Sequence, residues 1–155
     1  MSRTLYPTQA AGPTDWSVSA WSLTGSAPFD ESPPVAGDTV IFTAGSGEIT
    51  MTGDSADGLA DVTIGGGVLD MAGFDILLNA TGGFVASGGT ISNGGGVRIG
   101  SGGFDIAAGV VATGELDVTT PEAVTTTTAE LATQHLGLLT LDGDVTMSAT
   151  FSCKQ

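Results

Sequence analysis

Positive charge is almost absent from this chain. Its 155 residues include 17 acidic side chains but only three basic ones, Arg3, Arg98 and Lys154, for a net charge of −14. Proteins that bind nucleic acid or anionic membranes use clustered Lys and Arg to neutralise phosphates. The composition therefore argues against both kinds of partner, and it favours a surface that stays dispersed when present in many copies.

Cysteine and histidine, which carry much of enzymatic and metal chemistry, are each present once. Cys153 permits no internal disulfide, and together with His135 it cannot supply the three or four ligands of a zinc site. A nucleophile needs a base beside it, and the sequence around His135 offers no partner. We expect no catalytic centre and no zinc, and a free thiol at Cys153. An intermolecular disulfide or a buried assembly contact at Cys153 are the alternatives.

Long apolar runs are missing as well. A bilayer span needs about 18 consecutive apolar residues, and a secretory signal needs a basic start followed by an apolar stretch. Residues 1–20 contain no such start, and no run of that length occurs elsewhere. We expect a chain made in the cytoplasm without a signal peptide, which reaches the outside only through lysis or as part of a larger particle.

Glycine and short apolar alternations are abundant instead. The chain has 25 glycines and 41% hydrophobic residues but only 13% charged ones, which argues against disorder. Alternating apolar pairs predict short strands at Val40/Phe42, Ile49/Met51, Val62/Ile64, Leu69/Met71, Ile76/Leu78, Val97/Ile99, Phe104/Ile106 and Leu116/Val118. Between residues 62 and 116 the strands start every six to eight residues and are separated by glycine pairs or triplets.

This spacing is tighter than in sandwiches, whose turns recur about every 8 to 12 residues. Glycine corners after a few residues are typical of a β-solenoid, in which coils stack at the strand separation of ~4.8 Å. Three faces predict a coil of about 20 residues, and Gly-Gly-Phe at 82–84 recurs at 102–104. A second repeat, 65–76 against 94–106, has an offset of 29 to 30. It leaves open a wider coil or an antiparallel meander.

We therefore predict an all-β fold: a short, right-handed β-helix-like solenoid, with a compact antiparallel β-sandwich as the alternative. The side chains expected to point inward are Ile64, Phe84, Ile91, Ile99, Phe104 and Ile106. The predicted segments are a Pro- and Trp-rich N-terminal arm or cap (1–37), the solenoid body (38–118), and a Thr-rich break with a C-terminal β cap (119–155).

The N-terminal segment holds five of the six prolines, both tryptophans and the only tyrosine. Because proline lacks a ladder amide, we expect mostly loop, arm or cap there. In the C-terminal segment, 129–135 is a candidate short helix, and residues 142–144 (Asp-Gly-Asp) predict a hairpin turn. That segment is expected to be a last coil, a cap, or an element exchanged with a neighbouring subunit.

Acidic residues form two groups in the sequence: Asp54, Asp57 and Asp61, and then Asp142 with Asp144. Either group has the hard oxygen ligands that Ca²⁺ prefers, but neither has EF-hand spacing. Paired carboxylates also serve glycan-cleaving solenoids, yet only Arg98 is available to hold an acidic sugar. We expect solvated turn residues, with no metal and no cofactor. The glycine triplets lack the Gly-Lys-Ser/Thr ending of a phosphate loop.

The run from Trp16 and Trp21 through residues 34–42 (Pro-Val-Ala-Gly-Asp-Thr-Val-Ile-Phe), with strands at 49–51 and 62–65 following, resembles the entry into right-handed β-helix repeats. Similar patterns occur in autotransporter passenger domains and in phage surface proteins. The resemblance covers about residues 16–118. Autotransporters also carry a signal peptide and a membrane barrel, and this sequence shows the pattern of neither. The resemblance therefore favours a phage virion protein.

The resemblance implies a structural protein that decorates and stabilises the exterior of a phage capsid by docking on the major capsid protein. Other virion proteins are further expected partners, and the chain is expected to be a homo-oligomer, with a trimer among its forms. Composition points to Tyr6, Trp16 and Trp21 as the contact residues. The alternatives are a receptor- or glycan-binding fibre or spike component, and a polysaccharide-active β-helix enzyme.

Overall fold

A computed structural model describes residues 1–107 and 109–120, together with the backbone of three later strands. The described residues form strands, turns and loops, and no helix among them could cross a membrane. The strands are β1 (Thr4–Pro7), β2 (Pro13–Asp15), β3 (Trp21–Ser22), β4 (Thr39–Phe42), β5 (Glu48–Thr50), β6 (Asp61–Asp70), β7 (Ile76–Leu77), β8 (Gly83–Ser92), β9 (Gly96–Arg98), β10 (Gly103–Ile106), β11 (Val111–Ala112), β12 (Glu115–Thr119), β13 (Thr127–Leu131), β14 (Leu138–Leu141) and β15 (Val145–Met147).

Apart from β3, these strands stack in parallel as a β-solenoid of about four turns. The first face holds β1, β4, the first half of β6, the first half of β8, β10, β13 and β15. The second face holds β2, β5, the second halves of β6 and β8, and β11. The third face is a separate four-stranded sheet of β7, β9, β12 and β14. The all-β solenoid prediction is confirmed, and the antiparallel sandwich is wrong. Right-handedness stays a prediction.

Residue registers define the coil length. On the first face Val40 pairs with Val62, Val62 with Phe84, and Phe84 with Phe104, so successive coils are 22, 22 and 20 residues long. The repeat of Gly-Gly-Phe is therefore one true coil. The longer repeat is not, because Ile76 lies on the third face and Ile106 on the first. A wider coil and a meander are both excluded.

Glycine forms the corner between the first and second faces. Strands β6 and β8 are each ten residues long, but their register shifts around Gly65 and Val68, so each is two short strands joined by a bend. A Cβ on Gly66 would lie 2.5 Å from Cα and 2.7 Å from N of Ala44 in the coil before. The corner brings two backbones too close for any larger residue.

The core is a column of apolar side chains along the solenoid axis. Alternation along each strand sends every second residue inward, and all six residues predicted to point inward are buried. Equivalent positions of successive coils lie above one another, as with Val62, Phe84 and Phe104. Each coil thus covers the apolar layer of the coil before it.

The N-terminal segment forms strands that pair with strands of the solenoid body. Strand β1 pairs with β4 in parallel and with β3 in antiparallel orientation, and β2 pairs with β5. Two prolines that were expected to prevent strands lie at strand ends: Pro7 closes β1 and Pro13 opens β2, where a missing amide costs least. Residues 1–37 therefore cover the N-terminal end of the coil stack.

The C-terminal strands continue the parallel ladders. Strand β13 includes residues 129–131, so the predicted helix is wrong there, and its remaining residues lie outside the described ones. Strand β14 pairs with β12 whereas β15 pairs with β13, so the predicted hairpin is also wrong. Residues 142–144, His135 and Cys153 lie outside the described residues.

Candidate functional site

A polar row runs along the outside of the third face at a spacing of 21 residues: Asp54, Asp75, Gly96 and Asp117. Oδ1 of Asp54 accepts a hydrogen bond from the amide of Asp75 at 3.0 Å, and Oδ1 of Asp75 accepts one from the amide of Gly96 at 2.8 Å. Each carboxylate thus tethers the next coil. The row stops repeating at Gly96, which has no side chain to offer.

Because Gly96 has no carboxylate, the amide of Asp117 lacks the side-chain acceptor that the amides of Asp75 and Gly96 have. That amide donates instead to the carbonyl of Gly95 at 3.1 Å, and Oδ1 of Asp117, which is closed to solvent, has no hydrogen-bond partner among the described residues. A Cβ on Gly96 would lie 2.5 Å from Oδ1 of Asp75, so glycine is needed for that carboxylate to fold over the backbone. A buried carboxylate oxygen lacking a donor costs free energy, typically about 1–3 kcal/mol.

A cavity of about 130 Å³ opens at this point. Two neighbouring rows of residues line the cavity. One row consists of Asp75, Gly96 and Asp117, and the other of Leu77, Arg98 and Thr119. We call it the third-face groove. It combines two carboxylates, one guanidinium and one hydroxyl within a single concave surface.

Arg98 leans toward the coils before it. Its Nε donates to the carbonyl of Leu78 at 3.3 Å, and its Nη2 forms an ion pair with Asp57. The Asp57 side chain is 75% exposed, so this pair contributes little to stability. Its consequence is electrostatic, because Arg98 lines the same groove as Asp75 and Asp117 while its guanidinium is paired with Asp57.

The residues predicted to contact a partner lie in the N-terminal segment. Trp16 and Trp21 belong to the core, 5% and 0% exposed, with ring centroids 5.0 Å apart at an edge-to-face angle of 72°. The indole of Trp21 donates to the carbonyl of Trp16 at 3.2 Å. Tyr6 is half-buried and its ring packs on Gly25. Partner contact by all three stays a prediction.

The first acidic group of the sequence is divided between faces. Asp54 belongs to the third-face row and Asp57 pairs with Arg98, whereas Asp61 lies on the first face, where its Oδ1 accepts from the amide of Gly83 at 3.0 Å. Within 1–107 and 109–120, no three Asp, Glu, His or Cys side chains form a group able to hold a metal. Asp142 and Asp144 lie outside the described residues.

A second charged site, which the sequence did not reveal, lies under the N-terminus. Asp38 is completely buried, and Arg3 donates to it from Nη2 at 2.6 Å, from Nε at 3.1 Å and from its backbone amide at 2.9 Å. The amide of Val35 adds a bond at 3.0 Å. Burial alone would raise the pKa of Asp38, but hydrogen bonds from Arg3 and Val35, with the attraction of Arg3, outweigh it and hold the pKa below its ordinary value.

Other bonds of Arg3 attach the proline loop. Nη1 donates to Oγ of Ser32 at 2.8 Å and Nη2 donates to the carbonyl of Pro33 at 3.1 Å, while Glu31 lies 3.7 Å from the guanidinium. Arg3 and Asp38 therefore clasp β1, the proline loop and the start of β4 together. We call this arrangement the N-terminal clasp.

Comparison with known proteins yields no match: no family model, no curated protein and no solved structure is similar to the chain.

Proposed function

We propose that the chain is a non-enzymatic structural protein of a virus particle, which decorates and stabilises the exterior of a phage capsid by docking on its major capsid protein. The observation that carries the proposal is the covered N-terminal end of the solenoid. Strand β3 and the Trp16–Trp21 pair close over the first coils. A solenoid end left open presents unpaired amides and carbonyls and tends to stack on another chain.

Closure favours a discrete unit over a filament. Because the first-face edge of β1 is already paired with β3, and β2 begins at Pro13, another copy cannot extend these ladders by simple addition. A discrete, rigid body placed many times on a shell is what decoration requires. A fibre, the first alternative, relies on extension along one axis.

Charge supports the same proposal. Outward positions of the ladders carry Asp54, Asp75, Asp105 and Asp117, and the whole chain has a net charge of −14. Closely spaced copies with acidic outer faces repel one another. Attachment at one end with repulsion between the free bodies keeps copies separate on a shell.

Docking is assigned to the N-terminal segment. Besides the terminal Met1, three exposed large apolar side chains belong to it: Val18, Leu23 and Val35, at 43%, 49% and 52% exposure. Tyr6 adds a half-buried ring, and the buried tryptophans hold the segment in shape. Rigid presentation of apolar and aromatic groups lowers the entropy cost of binding.

The test is co-purification with particles. Virus particles from the source culture are banded on a density gradient, and the chain is quantified against the major capsid protein. Decoration predicts a constant ratio across the capsid band, and recombinant chain should rebind particles stripped of it. Recovery only with tails or fibres would assign the protein to the first alternative. Light scattering on the recombinant chain tests the expected homo-oligomer.

The enzyme alternative has its own test. Purified chain is incubated with acidic and neutral polysaccharides, and reducing ends and unsaturated products are measured. The proposal predicts no turnover. Turnover that disappears in Asp54→Asn, Asp57→Asn or Asp61→Asn would contradict it.

A further inference from the structure

The chain bends from the second face to the third through a backbone conformation that most residues avoid. Ala72, Asn93 and Gly114 hold this bend in three successive coils, with φ of 50°, 50° and 90°. Glycine adopts such positive φ values without strain, and asparagine adopts them more readily than most other residues with a side chain. An asparagine at position 93 therefore suits the fold. We call the bend at residues 93–94 the asparagine corner.

The residue after Asn93 has to be glycine. A Cβ on Gly94 would collide with the carbonyl oxygen of Glu115, which lies in the next coil. The fold thus places asparagine directly before glycine, and this pair has a chemistry of its own. The backbone nitrogen that follows an asparagine attacks its side-chain amide most readily when it belongs to glycine, because no side chain hinders the approach.

The reaction is an intramolecular attack followed by hydrolysis. The backbone nitrogen of Gly94 loses its proton to a base and bonds to Cγ of Asn93. The bond from Cγ to Nδ2 breaks, and Nδ2 takes up the proton and leaves as ammonia, which closes a five-membered succinimide. Water then adds to either ring carbonyl and breaks its bond to nitrogen, so the product is aspartate or isoaspartate. One water is consumed and one ammonia is released, and nothing is oxidised or reduced.

Both reacting groups are hydrogen-bonded in the folded chain. Nδ2 of Asn93 donates to Oδ1 of Asp70 at 2.9 Å, which ties the side chain to the preceding coil. The amide of Gly94 donates to the carbonyl of Thr113 at 3.0 Å, which ties the nucleophile to the following coil. The carbonyl of Asn93 also accepts from the amide of Gly73 at 2.9 Å. The closed corner therefore holds the two groups in bonds that must break before they can react.

We propose that Asn93 is a site of spontaneous deamidation whose rate is controlled by opening of the asparagine corner. The side chain is exposed, so water reaches it. Local separation of the coils frees the Gly94 nitrogen to attack. The carboxylate formed at position 93 then faces Oδ1 of Asp70, where the amide had donated, and two like charges in contact oppose closure of the corner. The chemistry needs only water, so it is independent of the assembly that carries the chain.

The first experiment compares the folded and the unfolded chain. Both are incubated at the same temperature and at about pH 8, one in buffer and one in guanidinium chloride, and deamidation at each asparagine is quantified by peptide mapping with mass spectrometry. The chain's other asparagine, Asn79, precedes Ala80 and serves as the internal control.

In the unfolded chain Asn93 should convert at least about ten-fold faster than Asn79. It should also convert at least about ten-fold faster there than in the folded chain, where the corner is closed for most of the time. Equal rates at Asn93 in the two states would overturn the proposal, and so would an unfolded chain in which Asn93 does not convert.

Variants of Asp70 test the bond that holds the side chain. Asp70→Ala removes the acceptor and should raise the rate at Asn93 in the folded chain about two- to ten-fold. Asp70→Asn keeps an oxygen acceptor at the same place and should stay within about two-fold. An unchanged rate in Asp70→Ala contradicts the proposal. If thermal melts show that Asp70→Ala is unfolded, the rate in the unaltered chain is followed through its denaturant transition, and a rate that does not rise with the unfolded fraction is the contradicting result.

The product is tested separately by substitution. Asn93→Asp should lower the thermal midpoint by about 2–4 °C, because its carboxylate meets that of Asp70. Asn79→Asp is the matched control and should change it much less, since Oδ1 of Asn79 accepts from the amide and hydroxyl of Thr81, a role that a carboxylate keeps. Adding Asp70→Asn to Asn93→Asp should restore the midpoint. A midpoint that is not restored would show that the charges at positions 70 and 93 do not meet, contrary to the consequence proposed for deamidation.

Discussion

Phe84 and Phe104 stack on each other inside the solenoid, with ring centroids 5.4 Å apart and ring planes 19° from parallel. They occupy paired positions of β8 and β10, exactly one coil apart along the first face. Each phenylalanine is the last residue of a Gly-Gly-Phe sequence, at 82–84 and at 102–104. The repeat of this sequence therefore reflects the repeat of the coil. Each places an aromatic ring at the same point of a coil, where it packs on its equivalent.

The stacking predicts an energetic coupling. Phe84→Leu, Phe104→Leu and the double variant are compared by urea unfolding in a double-mutant cycle. The two rings should couple by about 0.5–1.5 kcal/mol. Phe84→Leu combined with Ile49→Val, on another face of an earlier coil, serves as the control and should be close to additive. Additivity of the phenylalanine pair would show that the stacking adds nothing beyond burial.

The N-terminal clasp predicts acid sensitivity. The pKa of Asp38 lies below its ordinary value of 3.8, so its contribution to stability is complete above that value and is lost as the pH falls through the folded-state pKa. Asp38→Asn should lower stability at pH 7 by about 3 kcal/mol, because Arg3 loses its partner. As the pH falls below 3.8 and through the folded-state pKa, the difference in stability between the two proteins should shrink. Thermal melts between pH 2 and 7 measure both effects.

Asp15 provides the control for the clasp. Hydrogen bonds from the amide and hydroxyl of Ser17, and then from Thr52, lower its pKa too, but it lies on the surface. Asp15→Asn should therefore change the pH profile much less than Asp38→Asn. A pH profile of Asp38→Asn that runs parallel to that of the unaltered chain would contradict the role given to the clasp.

Burial of the Trp16–Trp21 pair predicts that the N-terminal segment stabilises the solenoid body. Trp21→Ala removes a fully buried ring and should cost about 3–5 kcal/mol, with a clear fall in the thermal midpoint. Tyr6→Ala, at a half-buried ring, should cost much less and is the variant better suited to testing docking. If Trp21→Ala keeps its full stability and loses only particle binding, the ring serves a partner and not the core.

The glycine corner predicts an asymmetry between two alanine substitutions. Gly66→Ala brings a methyl group against backbone atoms of Ala44 and Thr43, which cannot move aside, and should destabilise by about 2–3 kcal/mol or more. Gly53→Ala has no atom within 4 Å of the added methyl and should stay within about 0.5 kcal/mol. Equal effects measured by chemical denaturation would show that the corner relaxes.

Much of the body could be predicted from the sequence because a solenoid repeats one local rule. Alternation of apolar residues predicts the inward positions, and glycine predicts the corners. The buried residues between Val40 and Val118 can therefore be predicted from short stretches of sequence. The N-terminal strands were missed since their pairing partners are 35 residues away, as with Leu5 and Val40. Proline content indicated loop, while tertiary pairing at strand ends decided the outcome.

The two charged sites differ in how far the sequence reveals them. Nothing local connects Arg3 with Asp38, because a clasp between segments leaves no periodic trace. The third-face row does leave one: Asp54, Asp75, Gly96 and Asp117 are spaced by 21 residues. Grouping acids by proximity in sequence hid that spacing and joined Asp61 to residues of another face.

The unequal coils show where this architecture accepts change in length. From Leu69 to Ile76 the chain takes seven steps, and from the equivalent Ile91 to Val97 it takes six. From Ile76 to Phe84 it takes eight, and from Val97 to Phe104 seven. The coil of 20 residues is therefore shorter than the coil of 22 by one residue in each of two bends. The strands on either side of these bends keep their pairing. Foreign peptide epitopes grafted into such bends, for instance at the exposed pair Ala72–Gly73, would be carried on an unchanged scaffold.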